Sequence, residues 1–277
     1  MPKVPYTKTA LSYADQLQQL KNRGLIVEND TKALHLLENI SYYRLSGYWY
    51  PMIAQPKSAH QFKPDSTFNK AFKLYCFDRE LRKLVLRELE KIEVAIRAKM
   101  IYMLWFRHGA FWYSNNALFT DRNKLAVSIR KLREENRRSD EEFLKSFRRK
   151  YSDPLPPACM ILEISSFGNL SSFYGNLKPG HDKTLPNPRV GQLPLLNNNR
   201  AYFLLSMIIY LLNVINPTHT FKNKLFRLLK AYPMVDLKAM GFPQGWESEP
   251  LWNWVKVVKD EIWYNRIMKQ VGIRKNG

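Results

Sequence analysis

Side chains able to do acid–base, nucleophilic or metal chemistry are few in this sequence, and they are scattered. Five histidines, His35, His60, His108, His181 and His219, stand far apart in a chain of 277 residues. The two cysteines, Cys76 and Cys159, lie in no CxxC or Cys/His spacing. They offer neither a disulfide framework nor a zinc site, and a reducing cytoplasm is the default compartment. There is no glycine-rich phosphate loop and no cluster of metal ligands, so neither a cofactor nor a metal is expected. Glu93 and Arg97 sit one helical turn apart, a spacing that a plain i,i+4 salt bridge explains. The run from Ser41 to Pro51 places five aromatics beside Arg44. Rings in such a run can stack on bases, but more often they close a core.

Positive charge is what the chain has in abundance. Lys and Arg number 44 against 24 Asp and Glu, a net charge of +20 with an isoelectric point near 9.9. That surplus points to a polyanionic partner, RNA or DNA before a membrane. Apolar content of 45% and charged content of 25% are those of a globular protein. Met1-Pro2-Lys3-Val4-Pro5 has no apolar core and does not resemble a signal peptide. The longest greasy run, Ala201 to Ile215, is shorter than the ~20 residues a bilayer requires, so it reads as a buried helix.

The elements that must position these charges are helices. From Leu74 to Met103, the residues Leu74, Phe77, Leu81, Val85, Leu89, Ile92, Ile96, Met100 and Met103 recur at steps of three and four. This is one apolar stripe at the α-helical period, with a mostly basic outer face and no Gly or Pro to interrupt it. Leu89 is expected to be buried on that seam. Helices are also expected over 10–23, stopped by Gly24, and after a cap at Asp30 or Thr31. A charged helical hairpin should span 121–150, with Ser139 and Glu142 forming a capping box for its second arm. A helix from Ala158 should bury Met160, Ile161, Ile164 and Phe167 and close at Gly168. Helices over 200–215, from Phe221 and from Trp252 complete the pattern. Residues 178–199 are rich in Pro, Gly and Asn and read as an irregular linker. Strand signals are almost missing, so the expected class is all-α.

Four segments together resemble the Abi family of bacterial abortive-infection proteins, the AbiD/AbiF-like group. They are Tyr42-Tyr43-Arg44-Leu45-Ser46-Gly47-Tyr48-Trp49; Phe77-Asp78-Arg79-Glu80-Leu81-Arg82 with Ile92-Glu93-Val94-Ala95-Ile96-Arg97; Pro156-Pro157 with Glu163 to Ser171; and Ile215-Asn216-Pro217 with Phe221-Lys222 and Met240-Gly241-Phe242-Pro243. The resemblance implies a HEPN-like helical bundle, a role in antiphage defence, and RNA as target or partner. It also implies an Arg and a His about five residues apart, the Arg neutralising the scissile phosphate and the His moving the proton. None of the five histidines has an Arg four to seven residues before it. The segment that carries this pair in relatives follows the equivalent of Phe173 to Leu177, and here that place leads into Lys178-Pro179-Gly180-His181. The catalytic helix is therefore expected to be missing, and no catalytic residue is assigned. Asn213 and His219 have a vaguely similar spacing, but Pro217 intervenes and the Arg is lacking.

The expected organisation is an N-terminal helical region over 1–67, a bundle core with the charged hairpin over 68–177, the linker 178–199, and completing helices over 200–277. The expected function is binding of a structured RNA, noncoding or tRNA-like, in the cytoplasm, with a homodimer open. The residues expected to meet RNA are Arg44, Arg79, Arg82, Lys83, Arg87, Lys91, Arg97, Arg107, Arg130, Lys131, Arg133, Arg137, Arg138, Arg148 and Arg149. One alternative is an active ribonuclease with a composite site, where Arg107 and His108 meet the same pair of a second protomer. Another is an interaction module for an acidic protein.

Overall fold

The structure, a computed structural model, describes Pro5, Thr7 and residues 9–178, 200–248 and 252. Among these residues the protein is all-α, with ten α-helices and only three isolated β-bridges. The helices are α1 (Tyr13–Asn22), α2 (Asp30–Ile40), α3 (Tyr42–Trp49), α4 (Phe68–His108), α5 (Arg122–Arg138), α6 (Glu142–Lys150), α7 (Ala158–Ile161), α8 (Phe167–Asn176), α9 (Arg200–Ile215) and α10 (Phe221–Ala231). No described helix is long and apolar enough to cross a membrane. The expected linker over 179–199 and the tail helix beyond Trp252 lie outside the described residues, as does His181.

The chain divides into two compact units. The first comprises residues 1–84 and 223–236. Its helices start where side chains accept the orphan amides: Ser12 caps α1 by accepting from the Asp15 N–H, and Asn29 caps α2 by accepting from the Lys32 N–H. Asn29, not Asp30 or Thr31, is thus the cap. Gly24 ends the first turn region at φ 89°, a left-handed geometry that glycine adopts without a Cβ penalty. Leu20, Leu37 and Leu45 are fully buried at the centre, with Trp49 and Phe68 beside them. The aromatic run is a helix whose Leu45 and Trp49 face the core while Tyr43 is 89% exposed. Tyr48 donates to an Asp78 oxygen at 2.6 Å.

The second unit comprises residues 85–222 and 237–277. Its core joins Met100 and Leu104 of α4 to Trp112, Phe119, Leu132, Ile161, Leu170 and Phe173. Polar clamps register α5 against α8. Asn176 donates to the Asp121 carbonyl and accepts from its N–H, and Asn169 donates to the Ser128 carbonyl. The Asn176 amide is satisfied on both its donor and acceptor sides, so it favours one packing of the two helices. Tyr113 donates to the Pro156 carbonyl at 2.7 Å, which fastens the Pro-rich break to the end of α4.

Three further sequence expectations fail locally. Leu89 is 38% exposed and Glu88 is only 2% exposed. Around the axis, measured from the buried Ile92 at 100° per residue, Glu88 is about 40° away and Leu89 about 60°, so the neighbouring carboxylate holds the inner position. Ser139 does not form the box that starts α6. It ends α5, and α6 begins after Glu141 without a side-chain cap. The helix from Ala158 is a single turn, with a separate helix restarting at Phe167 under a Ser166 cap. That restart leaves Phe167 43% exposed, with Met160 and Ile164 half-buried.

Candidate nucleic-acid interface

The cations expected to meet RNA separate into two groups. Those on α4 follow a carboxylate by three or four residues or stand next to one, and nearly all are paired. Arg82 meets Asp78 at 2.8 Å, Lys83 meets Glu80 at 3.3 Å, and Arg79 meets Glu80 at 3.2 Å. Lys91 and Arg87 meet the buried Glu88 at 2.7 and 3.7 Å. Arg97 meets Glu93 at 2.6 Å and also donates to the Glu163 and Ser165 carbonyls, at 2.7 and 3.0 Å. With its side chain 14% exposed, Arg97 fastens the loop after α7 to α4. Acid placed N-terminal to base at these spacings is the favourable order on a helix. Hydrogen bonding from Lys83 holds the Glu80 carboxyl below its ordinary value.

The seven Lys and Arg of α5 behave otherwise. Arg122, Lys124, Arg130, Lys131, Arg133, Arg137 and Arg138 are all exposed, and none makes an ion pair or side-chain hydrogen bond among the described residues. Leu125, Ser128, Leu132 and Asn136 take the inner arc of α5, so the cations share the outer arc along about 24 Å of helix. Glu135, which could have neutralised part of this face, instead accepts the Ser166 N–H. Arg122 and Lys124 were not singled out from sequence; their places in the first turn of α5 were the available signal.

The remaining expected residues are divided. Arg148 donates to the Asn136 carbonyl at 2.9 Å and stitches the α5–α6 corner, while Arg149 pairs with Glu142 at 2.6 Å. Arg44 and Arg107 are exposed and form no ion pair among the described residues.

His35 and His219 are each engaged with neighbouring Asn side chains rather than with an arginine. His219 contacts the Asn213 oxygen at 2.8 Å, and its Nδ1 accepts the Phe221 N–H at 3.2 Å. That second bond leaves the proton on Nε2, which donates to Asn213. Both ring nitrogens therefore serve the corner between α9 and α10. Burial lowers the His219 pKa, with Glu88 raising it and Lys91 lowering it. His35 sits against the Asn39 amide on the exposed side of α2. No group of His, Cys, Asp or Glu among the described residues could hold a metal ion.

Residues 35–216 match the model of the Abi-like protein family. That match covers well over half of the 277 residues, and the chain belongs to this family. Membership suggests a role in abortive-infection defence. No match was found among curated proteins or among solved structures.

Proposed function

We propose that this protein is an abortive-infection protein that holds a structured RNA against the outer face of α5, within a HEPN-type bundle lacking its own Arg–His nuclease pair. One observation carries the proposal: seven exposed cations on one face of one helix, none neutralised by a described carboxylate, in a chain of net charge +20. Unpaired guanidinium and ammonium groups keep their hydrogen-bonding capacity for phosphate oxygens, and Arg presents a fork that fits them. Cations already held by carboxylates must break those pairs first, so α4 is the weaker candidate despite its count. On the nuclease side, His219 has both ring nitrogens engaged in a helix corner, which supports a binding role over a catalytic one.

The test is a salt titration of binding to a folded RNA. Each phosphate contact contributes a slope of about 0.7–0.9 in log K against log salt. Wild-type protein should show a steep negative slope. Neutralising Arg130, Lys131, Arg137 and Arg138 together should flatten it by about three. A flat wild-type titration, or an unchanged slope in the variant, would refute the assignment of α5. Incubation with labelled RNA should leave it intact. Cleavage that disappears in His108→Ala would make the protein an enzyme after all.

A further inference from the structure

The last turns of α4 carry an aromatic feature that neither the core nor the ion pairs use. Met100 and Leu104 point inward and are almost fully buried. On the opposite side Tyr102 is 65% exposed and Phe106 is 84% exposed. Their rings are stacked, with centroids 6.4 Å apart and planes 17° from parallel. Lys99, Tyr102 and Phe106 lie within an arc of about 60° on the helix, so one cation shares the stripe with both rings. Lys99 and Arg107 are exposed and form no ion pair among the described residues. No Asp or Glu occurs in the 27 residues from Val94 to Thr120.

We infer that Tyr102 and Phe106, flanked by Lys99 and Arg107, form a stacking platform for unpaired bases of a single-stranded RNA segment. This rests on the RNA-binding reading above and adds which part of the RNA is held here. Near-parallel exposed rings offer a flat π-face, and a base that leaves water on such a face gains stacking whatever its identity. Bases inside a duplex have their faces covered by neighbours, so only unpaired nucleotides fit. The flanking cations would take the phosphates on either side of the stacked base. A second copy of this chain is a poorer occupant. Twofold pairing along this stripe would set Lys99 and Arg107 near each other or near their own copies, with no carboxylate between Val94 and Thr120 to offset the repulsion.

The experiment compares two probes, a short unstructured single-stranded RNA and a blunt RNA duplex, by fluorescence anisotropy at fixed salt. The double variant Tyr102→Ala/Phe106→Ala should bind the single strand about tenfold more weakly or worse, and the duplex as wild type does. Its salt slope on the single strand should be unchanged, because no phosphate contact is removed. The ring-preserving variant Tyr102→Phe/Phe106→Tyr should retain wild-type affinity for both probes. Undiminished single-strand binding by the alanine variant overturns the platform while leaving the RNA reading intact. So does an equal loss on both probes, or loss of affinity in the ring-preserving variant. Wild-type protein that binds neither probe overturns both proposals. Sedimentation of the RNA-free proteins supplies the last arm. A wild-type dimer that becomes a monomer in the alanine variant would assign the patch to self-association.

Discussion

Helices α4 and α5 are both long, both rich in Lys and Arg, and both greasy on one side, yet their charges do opposite things. On α4 the cations from Arg79 to Arg97 are spent on carboxylates of the same helix, with Lys99 and Arg107 beyond them left unpaired among the described residues, and Arg97 also grips a neighbouring loop. On α5 none of the seven cations forms an ion pair among the described residues, although the exposed Glu134 stands among them. A paired helix contributes to holding the fold, although each exposed pair adds little. An uncompensated helix repels itself and gains only when an anion arrives. Cation counts alone would rank α4 as the better RNA surface. The pairing pattern reverses that ranking.

The largest effects should come from the inner faces, where the two helices are alike. Ile92→Ala on α4 and Leu132→Ala on α5, both essentially fully buried, should each destabilise by about 2–5 kcal/mol in denaturant unfolding. Leu89→Ala, at a half-exposed site, should cost clearly less than Ile92→Ala. Equal losses would return Leu89 to the seam and put the placement of Glu88 in error.

A middle-sized effect should separate the outer faces. Arg97→Ala breaks a close ion pair and orphans two carbonyls, for a loss of about 1–3 kcal/mol. Arg137→Ala breaks no described bond, so stability should move by less than about 0.5 kcal/mol. Thermal melts that fall together for the two variants would erase the contrast between α4 and α5.

The smallest effect is a pH dependence. The folded-state pKa of His219 lies below its ordinary value near 6.5, with burial the main cause. The unfolded chain therefore takes the proton first as pH falls. The contribution of His219 to stability is present above about pH 6.5 and is lost as pH drops toward the folded pKa. His219→Gln should remove that part of the pH profile while wild type keeps it. Matching profiles for the two proteins between neutral and mildly acidic pH would show that the ring is not held neutral.

Much of the scaffold was legible without coordinates. Apolar steps of three and four marked α4, an apolar face stopped by Gly24 marked α1, a dense run of charge marked α5 and a continuous greasy run marked α9, because a helix buries one side wherever it packs. Spacing also foretold the Glu93–Arg97 pair, since residues four apart share a helical face. It could not foretell that Glu88 would lie inside and Leu89 outside, because both positions fall near the edge of the stripe and packing decides between them. The exposed rings of Tyr102 and Phe106 were likewise invisible, since an aromatic off the stripe looks the same whether a neighbour covers it or not.

The sequence by itself determined an all-α chain with a large positive surplus and one dominant amphipathic helix. Composition and period are local properties, and no tertiary contact is required to express them. Which cations remain available was decided only by the tertiary structure. On α5, Glu134 and Arg138 have the same i,i+4 spacing as Glu93 and Arg97, and Glu135 stands three residues before Arg138. In the fold, however, Glu135 is drawn to the Ser166 N–H at the start of α8, and Arg138 forms no ion pair among the described residues. A backbone amide brought from 31 residues away competes for that carboxylate, and spacing along one helix carries no record of it.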